Sequence, residues 1–107
     1  MAIPQLDVFQ VIADPSRRKM LMLLTEDTLS INGLAAHFEM SRPAVSKHIS
    51  ILEKSGFIRI HNVGRERYCQ LNEKGFDELR EWIDHFDTFW QEKLQSLQKL
   101  IANKDNL

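Results

Sequence analysis

The sequence lacks the features that mark several large classes of protein. Among its 107 residues there is one cysteine, Cys69, so the chain has neither an internal disulfide nor a paired-thiol metal site. No stretch approaches the roughly 18 consecutive apolar residues of a membrane span. Residues 1–5 also lack the charged start and apolar run of a signal peptide. We therefore expect one cytoplasmic domain over residues 1–107, with no membrane partner.

Groups that would support catalysis are also missing. The four histidines, at positions 37, 48, 61 and 85, fall in separate predicted elements. No serine, threonine or cysteine has a recognisable base and orienting acid beside it. We predict that the protein is not an enzyme and has no cofactor. A lone cysteine in a strand, as Cys69 is, is more often a small packing residue than a redox sensor.

Net charge is close to zero, at −1, but it is unevenly distributed. Residues 1–40 hold three basic and five acidic side chains, and residues 68–107 hold five basic and eight acidic ones. Residues 41–67 hold six basic and two acidic side chains, a local net charge of +4. A basic segment flanked by acidic ones is what docking on DNA phosphates requires, with the acidic parts turned away.

Helical periodicity and capping residues predict three short helices in the first 40 residues. The first ends at Asp14, because the residue before a proline is pushed out of the helical conformation. The second opens at Pro15 and ends near Thr25. The third is capped by Ser30, with apolar side chains at i, i+3, i+4 and i+7 from Ile31 to Phe38.

A fourth helix and a β-hairpin follow. Ser41 caps the helix, which stops at Ser55-Gly56. Two strand-like runs, residues 57–61 and 67–71, are separated by a five-residue turn in which Gly64 can take a positive φ. From Asn72 onward the pattern is again helical for roughly 28 residues. The fold class is therefore mainly α with a small β-hairpin, in the order helix-helix-helix-helix-strand-strand-helix, a winged helix-turn-helix.

The fourth helix carries the predicted DNA-reading surface. With Val45, Ile49 and Leu52 facing the core, its outer face holds small and cationic hydrogen-bond donors. No acidic residue occurs from Ser41 to Leu52, whereas an ordinary solvated face mixes both signs. Small donors and cations suit the acceptor-rich major groove and its phosphates. The predicted DNA contacts on this helix are Arg42, Pro43, Ser46, Lys47, His48 and Ser50.

The hairpin adds two candidate contacts, and His48 on the fourth helix needs separate treatment. Arg65 and Arg67 lie at the hairpin tip, where they reach phosphates or the minor groove if they are not simply a polar turn. His48 sits between the core stripe and the outer face on the helical wheel. A DNA contact and partial burial are equally good interpretations of that position.

These residues resemble the ArsR/SmtB family of transcriptional repressors. The resemblance rests on the stretches 13–18, 34–35, 41–49 and 56–58, together with Leu52. It implies a winged-helix homodimer that represses by sitting on a double-stranded DNA operator. Ser46, Lys47 and His48 match the family's recognition-helix pattern, and Arg17 and Arg18 match its basic second-helix start, which adds both arginines to the predicted DNA contacts.

The last helix is too apolar for a domain of this size to cover. Some of its apolar side chains, such as Ile83 or Phe86, are expected to complete the core, and the remainder imply a partner. We predict that residues 1–13 and 73–102 form the dimerisation helices, and that a two-fold dimer presents two recognition helices to a pseudo-palindromic site. The predicted interface residues are Phe9, Trp82, Phe86, Phe89, Trp90 and Leu97.

Two alternatives remain open at this stage. Many members of the resembled family bind metal through paired cysteines in the third helix or Asp and His ligands on the last one, and neither set is complete here. Asp84, His85 and Asp87 are the remaining candidates for a non-standard site, but adjacent helical residues diverge by about 100°. We predict no metal site, and the inducing effector is unknown. The same fold can also present its helix to a protein rather than to DNA.

Overall fold

The computed structural model describes residues 5–105. Residues 1–4 of the predicted dimerisation segment 1–13 lie outside it. The described chain forms α1 (Val8–Ala13), α2 (Pro15–Leu24), β1 (Leu29–Ser30), α3 (Ile31–Ala35), α4 (Arg42–Lys54), β2 (Ile58–Val63), β3 (Glu66–Leu71) and α5 (Glu73–Asp105). The predicted order of helices and hairpin is confirmed, with one added strand, β1.

Short polar side chains begin most of these helices. Asp14 Oδ2 accepts from the Arg17 backbone N–H at 2.9 Å, and Pro15 occupies the first turn of α2, where a missing N–H costs nothing. Ser30 and Ser41 cap α3 and α4 in the same way, as predicted. Helix α3 is shorter than predicted. After Ala35, the N–H groups of His37 and Phe38 donate hydrogen bonds to the carbonyls of Leu34 and Ala35, three residues back. This spacing is that of a tighter 3₁₀-type turn, so the α-helix ends before Phe38.

The sheet has three antiparallel strands in the order β1-β3-β2. Leu29 pairs with Cys69, and Ile60 pairs with Cys69 from the other side. Strand β1 brings the start of α3 against the hairpin. The predicted five-residue turn is wrong, since β2 and β3 pair up to Val63 and Glu66 and leave a two-residue connection with Gly64 at φ +62°. Such tight connections need a positive φ that glycine adopts freely.

The core lies between α1, α2, α3, α4 and the sheet. The largest fully buried side chains include Phe57, Met20, Leu34, Ile49 and Leu52. Val45 is buried with Ile49 and Leu52, as the apolar stripe of α4 predicts. One face of α4 is thereby fixed inside the domain, and the opposite face is left for a ligand.

A glycine at the end of α4 turns the chain toward the hairpin. Gly56 has φ +84°, its N–H bonds the Glu53 carbonyl, and the Phe57 N–H bonds the Leu52 carbonyl at 2.9 Å. These are the two bonds of a Schellman motif, which closes a helix and reverses its direction.

Helix α5 packs against this turn and then leaves the domain. The Gly75 N–H donates to the Gly56 carbonyl at 2.8 Å, and Phe76 and Leu79 pack against the core. Every residue from Arg80 to Asn103 is exposed. The 33-residue helix is about 50 Å long, and the molecule measures 74 × 29 × 24 Å. The helix is longer than the roughly 28 residues predicted.

Candidate nucleic-acid interface

The outer face of α4 displays hydrogen-bond donors, and the acidic residue of this helix, Glu53, lies in its last turn. Arg42, Pro43 and Lys47 are exposed, while Ser46 and Ser50 are half-buried on the same helix. The Ser41 hydroxyl accepts from the Ala44 N–H at 3.3 Å and so fixes where the helix begins. The geometry places five of the predicted contact residues on one accessible surface.

The hairpin brings two more arginines to the start of α4. Arg65, at the tip, and Arg67, on β3, line a cavity of about 120 Å³ together with Arg42. Glu66 also lines it, and its carboxylate accepts from the Tyr68 hydroxyl at 2.8 Å. Three guanidinium groups and one carboxylate make this notch a net positive site for an anion.

Asn32 is a site residue that sequence reasoning missed. It lies in α3 and lines the same cavity, and its Oδ1 accepts a hydrogen bond from the Arg42 guanidinium. The position depends on β1, because pairing of Ser30 with Tyr68 carries the start of α3 to the hairpin. Two residues of strand carry no periodicity, so no local signal pointed to Asn32.

Arg17 is predicted to contact DNA, but in the structure it is buried. Only 8% of this residue is exposed. Its Nε donates to the Val11 carbonyl at 2.7 Å and its Nη2 to the Gln10 carbonyl at 3.1 Å. The guanidinium thus satisfies the last carbonyls of α1 from inside the domain, a common place for a cation at a helix C-terminus. Arg17 is therefore not part of the exposed surface that could contact DNA directly.

Arg18 stands next to it on the exposed side of α2. Its Nη1 donates to the carbonyls of Ile12 and Ala13 at 2.7 and 2.9 Å. The side chain therefore supports the end of α1 while remaining exposed. It stays a candidate for a phosphate contact, with part of its hydrogen-bonding capacity already used.

His48 is half-buried on α4, between the core and the outer face. Its Nδ1 lies 3.2 Å from Nη1 of Arg17. Burial lowers the pKa of His48 below its ordinary 6.5; Asp14 opposes this shift, while Arg17 and Lys47 add to it. The imidazole is therefore neutral at pH 7. Partial burial, one of the two interpretations of this position, is what the structure shows.

Asp14 completes this group of side chains. Burial raises the pKa of its carboxyl, but the hydrogen bond from the Arg17 N–H and the charge of Arg17 outweigh that effect, so the pKa lies below its ordinary 3.8. The sequence marks Asp14 as the residue before Pro15, but not as a partner of Arg17. Its side chain thus joins α2 to the network that reaches α4.

The predicted interface residues of α1 and α5 all lie on the surface. Phe9 packs edge-to-face on Trp82 with ring centroids 5.3 Å apart, and Trp82 packs on Phe86 at 4.9 Å. Ile83 is 52% exposed and Phe86 41% exposed, so the expectation that they complete the core is wrong. Core contact ends at Leu79, one to two turns earlier. The exposed apolar face of α5 comprises Trp82, Ile83, Phe86, Phe89, Trp90, Leu94, Leu97, Leu100 and Ile101.

The described part of the chain offers no support for metal binding, thiol chemistry or a membrane span. Within residues 5–105, no three His, Cys, Asp or Glu side chains are grouped as metal ligands are. Cys69 is fully buried, and burial raises the pKa of its thiol to about 11. That thiol is protonated and unreactive at neutral pH. No helix among the described residues is long and apolar enough to cross a bilayer.

The chain is similar to known bacterial regulatory proteins. The arsR family of bacterial regulatory proteins matches residues 14–59, which run from the start of α2 into β2. The transcriptional repressor SdpR of Bacillus subtilis is 35% identical over 80 residues, covering 75% of this chain and 89% of the repressor. An HTH-type transcriptional regulator of Mycobacterium tuberculosis is 32% identical over 96 residues, covering 90% of this chain and 87% of that protein.

Solved structures share the same architecture. The crystal structure of an ArsR-family transcriptional regulator superposes with a TM-score of 0.72 at 37% identity. The superposition covers 78% of this chain and 87% of the other.

Proposed function

Because this chain belongs to the arsR family of bacterial regulatory proteins, and is thus a DNA-binding transcriptional regulator rather than an enzyme, we propose that it is a homodimeric repressor of a pseudo-palindromic operator. The observation that carries the proposal is the outer face of α4, where Arg42, Ser46 and Lys47 stand together with no acid from Ser41 to Leu52. Cations and hydroxyls at the start of a helix are the groups that read base edges in a major groove.

The notch between α4 and the hairpin supplies the backbone contact. Arg42, Arg65 and Arg67 line one cavity of about 120 Å³, where their guanidinium groups can bind a phosphate of the DNA backbone. Asn32 orients Arg42 in that position. One phosphate held beside the recognition helix would set the register of the helix on the duplex.

Dimerisation is supported by the apolar face of α5. A monomer exposing two tryptophans and seven further large apolar side chains along one helix leaves far more apolar surface in water than isolated surface residues do. A second copy is the occupant that fits, since a two-fold axis pairs the same face with itself. Phe9 extends this face onto α1, next to Trp82.

Repression is proposed because the similar Bacillus subtilis protein SdpR is a transcriptional repressor. The test is binding of genomic fragments by the purified chain, followed by anisotropy titrations of a selected fragment at several salt concentrations. Lys47→Ala and Arg42→Ala should each weaken binding by about 1–3 kcal/mol. Lys99→Ala, an exposed lysine on α5, is the matched control and should bind as wild type does. Equal weakening by all three variants, or no binding at low salt, would contradict the proposal.

A further inference from the structure

Arg17 connects the end of α1 to the recognition helix. It is nearly buried, and three of its nitrogens have partners: the carbonyls of Val11 and Gln10, and Nδ1 of His48. Its backbone N–H is held by Asp14. A side chain fixed at so many points cannot swing away from His48 without breaking bonds inside the domain.

The chemistry of this contact fixes where the proton of His48 resides. A guanidinium group has donors and no acceptor. Nδ1 of His48, at 3.2 Å from Nη1, must therefore present a lone pair. A neutral imidazole that accepts at Nδ1 carries its proton on Nε2.

The other ring nitrogen reaches the surface. Nε2 of His48 has no hydrogen-bond partner among the described residues, and none of the buried side-chain nitrogens or oxygens there lacks one. Nε2 is therefore in contact with solvent. Lys47 is exposed on the outer face of α4, and His48, one residue later, stands about 100° around the helix from it, between that face and the core.

We infer that Arg17 is a positioning residue that holds His48 as the Nε2–H tautomer, and that this N–H donates a hydrogen bond to an acceptor on operator DNA. The inference rests on the proposed operator binding. Arg17 is too buried to contact DNA itself, and it acts on DNA binding through His48. The acceptor is a base edge or a phosphate oxygen, which share the same hydrogen-bond chemistry.

The tautomer can be measured without DNA. Long-range ¹H–¹⁵N correlation spectra of the free protein should show His48 protonated at Nε2 and unprotonated at Nδ1. In Arg17→Met, the spectrum should change to a mixture of tautomers. Arg18→Met is the matched control, because Arg18 also bonds carbonyls at the end of α1 but does not touch His48. An Nδ1–H tautomer in the wild type would overturn the inference.

Two substitutions of His48 separate the donor from the packing role, and they remain informative if Arg17→Met fails to fold. An asparagine amide reaches as far from the backbone as Nδ1, so His48→Asn keeps an acceptor for Arg17 and loses the outer donor. A glutamine amide reaches as far as Nε2, so His48→Gln restores that donor. We expect His48→Asn to weaken operator binding about five- to tenfold and His48→Gln to recover most of it. Wild-type affinity in His48→Asn would overturn the inference.

The same titrations identify the acceptor. If the loss in His48→Asn occurs on the operator and not on unrelated DNA, the acceptor is a base. If it is equal on both, the acceptor is a phosphate. Both results support the donor role. Absence of operator binding by the wild type would count against the proposed function and would leave the tautomer measurement standing.

Discussion

At the scale of single residues, Asp14, Arg17 and His48 form one connected group of charged and polar side chains. Asp14 accepts from the Arg17 N–H, and the Arg17 guanidinium donates to His48. The Asp14 bond lies within the start of α2, whereas the Arg17 guanidinium also bonds carbonyls of α1, so Arg17 ties α1 and α2 to α4. Because His48 is half-buried beside a permanent cation, adding a proton to it costs free energy in the folded state.

This cost predicts a pH dependence of folding. The pKa of His48 is lowered by burial and by the charges of Arg17 and Lys47, and Asp14 opposes this shift. Below about pH 6.5 the unfolded state therefore binds a proton at His48 more readily than the folded state does. The free energy of unfolding should therefore be highest above that pH and fall between pH 7 and pH 5. The lowered pKa of Asp14 acts in the same direction at more acid pH, below 3.8.

Urea unfolding at pH 7, 6 and 5, at one protein concentration, tests this prediction. His48→Asn cannot titrate and should reduce the loss of stability between pH 7 and pH 5. His37→Asn, a change at an exposed histidine in the turn that follows α3, is the control. A stability profile of His48→Asn that parallels the wild type between pH 7 and pH 5 would contradict the prediction that protonation of His48 destabilises the folded state.

At the scale of elements, the junction between α4 and α5 depends on close approach. Gly75 lies in the first turn of α5, directly over Phe57, and a Cβ placed there would lie 2.8 Å from Cγ of that ring. Phe57 is fully buried and packs edge-to-face on Phe76 at 4.9 Å. The ring has no room to retreat.

Gly75→Ala should therefore destabilise the fold although alanine favours helix by about 1 kcal/mol. Overpacking a filled core costs about 1–3 kcal/mol, so we expect a net loss of up to about 2 kcal/mol. Chemical denaturation measures it. Lys74→Ala, at the exposed neighbouring position, should stay within about 0.5 kcal/mol of wild type. A Gly75→Ala protein more stable than wild type would show that the contact is not restrictive.

The hairpin and α4 make a separate prediction about DNA phosphates. If Arg42, Arg65 and Arg67 share one phosphate in their common cavity, replacing all three by glutamine removes one ionic contact per bound chain. The slope of log K against log salt concentration should then fall by about 0.9 per chain. Three separate phosphate contacts would lower it by about 2.7. Anisotropy titrations from low to moderate salt distinguish the two results.

How far the sequence predicted these elements depends on whether the signal was local. The caps Ser30 and Ser41, the stripe Val45-Ile49-Leu52 and the stop at Gly56 are all encoded within a few residues, and each is confirmed. Strand β1 was missed because its pairing with β3 joins residues almost 40 positions apart. Arg17 was misplaced because its burial depends on the end of α1 and on His48, neither of which its own neighbours in sequence reveal.

At the scale of the whole molecule, α5 makes the shape elongated. The helix continues for more than 20 residues beyond its last core contact at Leu79, with an apolar face along most of that length. Its amphipathic pattern predicted an overhang, and the structure extends it. A face of this kind is stable in water once a second copy covers it.

Trp90→Ala or Leu97→Ala should raise the dimer dissociation constant about tenfold or more, since both side chains are more than half exposed in the single chain and lie on that face. Sedimentation equilibrium gives the constant directly. Gln95→Ala changes a polar residue of the same helix and serves as the control. Unchanged dimers in both apolar variants would place the interface elsewhere.

The central claim is that two copies of this chain hold two recognition helices against one DNA site. Hydroxyl-radical footprinting on a selected genomic fragment, with the number of bound chains measured in parallel, tests it most directly. The account predicts two protected half-sites with centres about 34 Å apart, two chains per site, and loss of both in Lys47→Ala. Protection of a single half-site by one chain, or a footprint that Lys47→Ala leaves intact, would contradict it.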